Sequence, residues 1–171
     1  MDQNSQLKTT NNMTATATIT TIQEAKQYLK SNYEKGVSCP CCGQFVKLYK
    51  RKINSGMSLG LLYLYKINGG GDFIHVPTAF TQRKINHANL ELAKLLYWEL
   101  VEERLSTEDD KKNSGYWKLT NKGIDYVLNR IKVPKHVFIY NNKVKGFSNN
   151  STGITESLGD KFNYHELMNA S

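Results

Sequence analysis

The only three cysteines of the chain stand within four positions, in the run Cys39-Pro40-Cys41-Cys42-Gly43. They are too close together for a disulfide framework. The C-x-x-C spacing, with Pro inside and Gly after it, is the turn in which two thiolates and nearby backbone amides converge on one ion, as in half of a zinc ribbon. A closed structural zinc site needs four ligands, and the chain has no second C-x-x-C. His75 and His87 are the best candidates to complete it, giving Cys39, Cys42, His75 and His87, with Cys41 as an alternative third thiolate. Zinc is therefore the expected cofactor, in a structural role. The competing reading is three reduced cysteines packing a turn. Cys41 or Cys42 paired with His75 as nucleophile and base is a lesser alternative, and a thioredoxin-like role lacks the surrounding βαβ pattern.

A second kind of chemistry is suggested by charge. Lys and Arg number 23 against 15 Asp and Glu, a net charge of +8, which favours a polyanionic partner. Between Val37 and Asn68 stand Lys47, Lys50, Arg51, Lys52 and Lys66 with no acid among them, so this stretch is the expected phosphate-contact patch. If about five phosphates are neutralised, log affinity for duplex DNA falls with log salt at a slope of roughly 4 to 5. Phosphate-binding glycine motifs and H-E-x-x-H are missing, so no enzyme is expected. Neither an apolar stretch of about 20 residues nor a secretory signal is present, and the expected location is the cytoplasm, or the host cytoplasm if the chain is phage-encoded.

The elements that must position these groups can be read from periodicity and punctuation. Residues 1–21, low in complexity and poor in core formers, read as a disordered arm. Residues 22–53 read as a helix (Ile22, Ala25, Tyr28, Leu29 and Tyr33 on one face, with Thr20 or Thr21 as cap and Gly36 as stop), then the cysteine knuckle, then one strand over Phe45 to Lys52. Asn54 or Ser55 caps a helix with Met57, Leu61, Leu64 and Tyr65 on one face, ended by Asn68-Gly69-Gly70-Gly71. Phe73 to Val76 reads as a short strand, Thr78 to Ile85 as a short helix, and Asn86 to Trp98 as a longer one burying Leu92, Ala93, Leu96, Tyr97 and Leu100. Leu100 to Leu105 and Tyr116 to Leu119 are strands around a polar loop, and Thr120 caps a helix carrying Ile124, Val127, Leu128 and Ile131. Residues 54–132 thus form the central domain. Residues 133–171 form a tail packed on it: a hairpin turning at Asn141-Asn142, a short helix from Thr152 or Thr155 with Leu158, and Phe162, Tyr164, Leu167 and Met168 as anchors.

The words Leu96-Tyr97-Trp98-Glu99-Leu100-Val101-Glu102-Glu103 and Gly115-Tyr116-Trp117-Lys118-Leu119-Thr120-x-x-Gly123, in that order of elements, resemble winged-helix regulators of the multiple-antibiotic-resistance type. From about Ile22 the chain is also similar to small, largely uncharacterised phage-encoded proteins of the same layout. The resemblance implies an α+β fold, a winged helix with an N-terminal helix, a cysteine-rich zinc knuckle and a C-terminal β-hairpin, and double-stranded DNA as partner in a transcription-regulating role. By the same analogy Gln82, Arg83, Lys84, Asn86, His87, Asn89 and Lys94 approach the bases, while Lys111, Lys112 and Asn113 lie on the wing. One departure is that the hairpin and short tail do not supply the long terminal helices through which such regulators dimerise. The alternative from another class is an adaptor that binds a host protein through the hairpin and Phe162 to Met168.

Overall fold

The computed structural model describes residues 21–86, 90–106 and 114–169. It is a mixed α and β structure with small antiparallel sheets, divided into two compact units, Met1–Leu48 and Tyr49–Ser171. No described helix is long and apolar enough to cross a membrane. The expected arm, residues 1–21, lies outside the described residues except for Thr21.

In the first unit α1 (Ile22–Asn32) starts at a reciprocal capping box. Thr21 Oγ1 accepts the Glu24 N–H and Glu24 Oε2 accepts the Thr21 N–H, which satisfies two amide donors that the first turn leaves open. Of the helix only Ala25 is buried. After Gly36, β1 (Val37–Ser38) pairs antiparallel with β2 (Phe45–Val46), and this two-stranded ribbon carries the cysteines at its tip. The strand expected over Phe45 to Lys52 is in fact two. At the break the Leu48 N–H donates to the Tyr33 carbonyl, which diverts the backbone from any ladder, and β3 (Tyr49–Lys52) pairs elsewhere.

The second unit is built around α2 (Ser55–Asn68). Asn54 caps it by accepting the Met57 N–H, and Gly69 ends it in the left-handed region at φ 72°, as the sequence requires. Ser58, Gly60 and Leu62 are buried along with Met57, Leu61 and Leu64, so the helix is enclosed on several sides rather than resting on one face. There follow β4 (Ile74–His75), α3 (Val76–Gln82), a 3₁₀ helix over Leu92–Trp98, β5 (Val101–Glu103), β6 (Tyr116–Leu119) and α4 (Asn121–Val127). β4, β6 and β5 form an antiparallel sheet in that spatial order.

The helix expected from Asn86 to Trp98 requires correction. Its described part is 3₁₀ and is entered through Glu91 at φ 44°. Leu92, Leu95 and Trp98 are buried, whereas Ala93 is exposed and Leu96 is 40% exposed. Three residues per turn put i, i+3 and i+6 in register, so the inward stripe differs from the expected one. Trp98 is held by donating from Nε1 to the Pro134 carbonyl at 2.7 Å. α4 starts at Thr120, whose Oγ1 accepts the Gly123 N–H. It is shorter than its apolar pattern suggests, because Asn129 takes φ 56° two residues past its end.

A second three-stranded sheet joins β3 to β8 (His136–Tyr140) and β9 (Lys143–Phe147). The basic strand, which sequence grouped with the knuckle, therefore belongs to the sheet of the C-terminal hairpin. Asn141 and Asn142 turn that hairpin at φ 48° and 56°, the two positive values a type I′ turn needs. A short bridge between β7 (Val133–Pro134) and β10 (Ser151–Thr152) leads to α5 (Ile154–Leu158) and α6 (Tyr164–Asn169). Tyr164, Leu167 and Met168 pack against the core of this unit.

Candidate functional site

The knuckle is a closed backbone turn. The Cys39 N–H donates to the Gln44 carbonyl and the Gly43 N–H to the Cys39 carbonyl, each at 2.8 Å, with Gly43 at φ 72°. The N–H groups of Cys41, and next Cys42, donate to the Cys39 sulfur and hold its thiol below its ordinary range. Partial desolvation, with the charge of Cys39 second, pushes Cys41 up. Amides directed at a thiolate are the arrangement a metal knuckle uses, and Cys39 with Cys42 fit half of a zinc site. Among the described residues no three His, Cys, Asp or Glu side chains form a group able to hold a metal ion. His75 belongs to the second unit, where its Nδ1 shares a 2.7 Å hydrogen bond with Thr78 Oγ1 and its ring packs 4.9 Å from that of Tyr116. His87 lies outside the described residues.

The expected duplex contacts fall into several places. Gln82, Arg83, Lys84 and Asn86 are exposed at and after the end of α3. Lys84 takes φ 55°, and the Arg83 guanidinium donates to the Ala79 carbonyl. Lys94 is paired with Glu91, which also accepts from Asn54, so its charge is already partly neutralised. Asn89, Lys111, Lys112 and Asn113 lie outside the described residues. At the base of the connection between β5 and β6, the Arg104 guanidinium stacks on Phe73 at 4.8 Å and on Tyr116 at 4.9 Å, a placement that fixes a cation beside the strand ends.

The basic patch is rearranged. Lys66 Nζ donates to the Leu167 carbonyl and serves to anchor the tail. Lys47 lies in the first unit, while Lys50, Arg51 and Lys52 are exposed on β3 of the second. Register then separates the three by face: Lys50 is opposite Phe138, Lys52 opposite His136, and Arg51 opposite Val137. Along β8, Val137 and Ile139 are buried while His136, Phe138 and Tyr140 are partly exposed. Lys50 and Lys52 thus share the outer face with three ring side chains. Lys143 is opposite Tyr140, and Lys145, at an irregularity in the pairing, lies over the Tyr140 ring at 5.8 Å. Burial, with Lys50, Lys135 and Lys52 nearby, keeps His136 below its ordinary pKa.

This aromatic and basic face escaped the sequence analysis. The period-two alternation His136-Val137-Phe138-Ile139-Tyr140 carried the signal, but only the long-range pairing of β3 with β8 brings lysines to both sides of it.

Of the four tail anchors, Tyr164, Leu167 and Met168 pack inward and Tyr164 OH donates to the Val127 carbonyl at 3.0 Å, whereas Phe162 is exposed. No protein-family model, curated protein or solved structure matches the chain.

Proposed function

We propose that this chain is a non-enzymatic DNA-binding protein of the winged-helix kind, a phage-type regulator or accessory factor whose cysteine knuckle is stabilised by zinc. The observation that carries the reading is the order helix, strand, helix, helix, strand, strand over residues 55–119, with the sheet assembled as β4-β6-β5. That order brings the end of α3, with Arg83 and Lys84, next in sequence to the short 3₁₀ helix Leu92–Trp98, the third helix of the motif. A helix-turn-helix of this kind presents its turn and third helix to a groove and its wing to the adjacent backbone. Arg104, stacked at the base of the β5–β6 connection, adds a fixed cation to that side. Zinc held by Cys39 and Cys42 would lock the β1–β2 turn; the thiolates bind it and the backbone amides of Cys41 and Cys42 orient the Cys39 sulfur.

The adaptor reading is less well supported, because Tyr164, Leu167 and Met168 already pack on the chain's own core.

The test is fluorescence anisotropy with random duplexes over a salt series, comparing the intact chain with the double variant Arg83→Glu, Lys84→Glu. Contacts by these two residues and by two or so of the β3 cations predict a log–log slope of about 3 to 4, decreasing by about 2 in the variant. A folded chain that does not bind duplexes at low salt, or a variant with an unchanged slope, would overturn the reading.

A further inference from the structure

The sheet β3-β8-β9 contains 14 residues, with five Lys or Arg and no Asp or Glu. On its inner face the central strand is buried at Val137 and Ile139, 0% and 6% exposed, while Tyr49, Arg51, Val144 and Phe147 on the two edge strands are exposed. Its outer face places Phe138 in the centre with Tyr140 beside it, Lys50 and Lys52 along one edge and Lys143 and Lys145 along the other. Opposite Phe138 stands Gly146, where an added Cβ would meet no atom within 4 Å. One flank of the Phe138 ring is thereby left open.

We propose that this outer face is a binding platform for single-stranded nucleic acid, with bases stacked on Phe138 and Tyr140 and phosphates held by Lys50, Lys52, Lys143 and Lys145. The argument is one of chemical complementarity. Flat rings at alternate positions of a central strand are spaced for successive unstacked bases, whose π faces they accept regardless of sequence. Lysines on both edges form a positive groove that tracks a backbone. A duplex conceals its base faces and cannot use the rings, and an apolar protein partner would leave four ammonium groups facing it without carboxylates. The platform is separate from the α3 end and from the β5–β6 connection; it shares only cations of β3 with the duplex reading, and substitutions at Arg83 and Lys84 on one side and at the rings on the other separate the two.

The test uses the full chain and labelled 12-nucleotide homopolymers, oligo-dT and oligo-U, beside a random duplex. The intact chain is expected to bind the single strands. Phe138→Leu and Tyr140→Leu each weaken this by about tenfold, with thermal unfolding and duplex binding unchanged. The reverse pattern is expected for Arg83→Glu, Lys84→Glu, which weakens duplexes and spares single strands, so failure of one reading can be distinguished from failure of the other. Oligo-dT and oligo-U distinguish DNA from RNA as the source of the strand. Should a Leu variant fail to fold, photocrosslinking of 4-thiothymidine oligonucleotides to the unmodified chain decides: adducts on β8 support the platform, and adducts confined to other segments overturn it. Single-strand binding that is absent at low salt, or unchanged by both ring substitutions, also overturns it.

Discussion

Gly123 approaches Leu100 so closely that a Cβ at position 123 would lie 2.0 Å from the Leu100 carbonyl oxygen. The same oxygen accepts the Thr120 N–H at 3.1 Å, and Thr120 Oγ1 donates to the Glu99 carbonyl. The start of α4 is thus pinned to the start of β5 by two hydrogen bonds and by the lack of a side chain. Backbone cannot give way as a flexible side-chain end can, so Gly123→Ala should cost about 3 kcal/mol or more. Urea unfolding would measure it, and a loss under about 1 kcal/mol would show that α4 shifts freely against the strand.

A buried hydroxyl chain joins three helices. Tyr126 OH lies 2.8 Å from Ser157 Oγ, which lies 2.6 Å from Ser58 Oγ. Burial pushes the Tyr126 phenol up to about 12. The folded state therefore keeps a proton that the unfolded chain releases near 10, and stability present below pH 10 should decline as pH rises toward 12. Tyr126→Phe should remove part of this decline in alkaline unfolding curves while costing about 1 kcal/mol at pH 7. An alkaline decline of the same size in the variant would assign it to other groups.

The knuckle thiols should react unequally. With Cys39 held low and Cys41 pushed up, alkylation followed by mass mapping should label Cys39 at lower pH than Cys41, since the thiolate is the nucleophile. Zinc should protect Cys39 and Cys42 together. Equal labelling with and without bound zinc would argue against ligation.

His136 should report on the lysines of the outer sheet face. Its depressed pKa means that the unfolded chain takes up a proton more readily than the folded one, so the stability associated with neutral His136 is present above about pH 6.5 and lost as pH falls below it. The ring titration followed by NMR should have its midpoint below that of an unperturbed histidine, and Lys50→Gln should raise it. An unchanged midpoint in the variant would remove Lys50 from the causes and leave burial with the Lys135 and Lys52 charges.

Signals carried by one or two residues were legible in the sequence. Asn54 and Gly69 bound α2, Thr120 starts α4, and Asn141-Asn142 turns the hairpin, because each acts through its own side chain or φ. The stripe of the 3₁₀ helix Leu92–Trp98 was not legible, since Leu92, Leu95, Leu96 and Trp98 satisfy a period of 3.0 about as well as 3.6. That Lys50 and Lys52 share a face apart from Arg51 follows from strand alternation, but which of the two faces is the outer one was not legible, because it is set by the partner strand, which lies some 85 residues further along the chain. Lys66 belongs by sequence to the basic stretch, yet its Nζ donates to the Leu167 carbonyl, a hydrogen bond spanning 101 positions that no local pattern signals.

Both tryptophans of the chain, Trp98 and Trp117, are buried in the second unit. The first unit has tyrosine and cysteine as its own reporters. Emission excited at the red edge of the indole band therefore monitors only the 49–171 unit, while thiol accessibility monitors only the knuckle. A titration with metal or denaturant that records both signals on one sample separates the melting of the two units, with no label added.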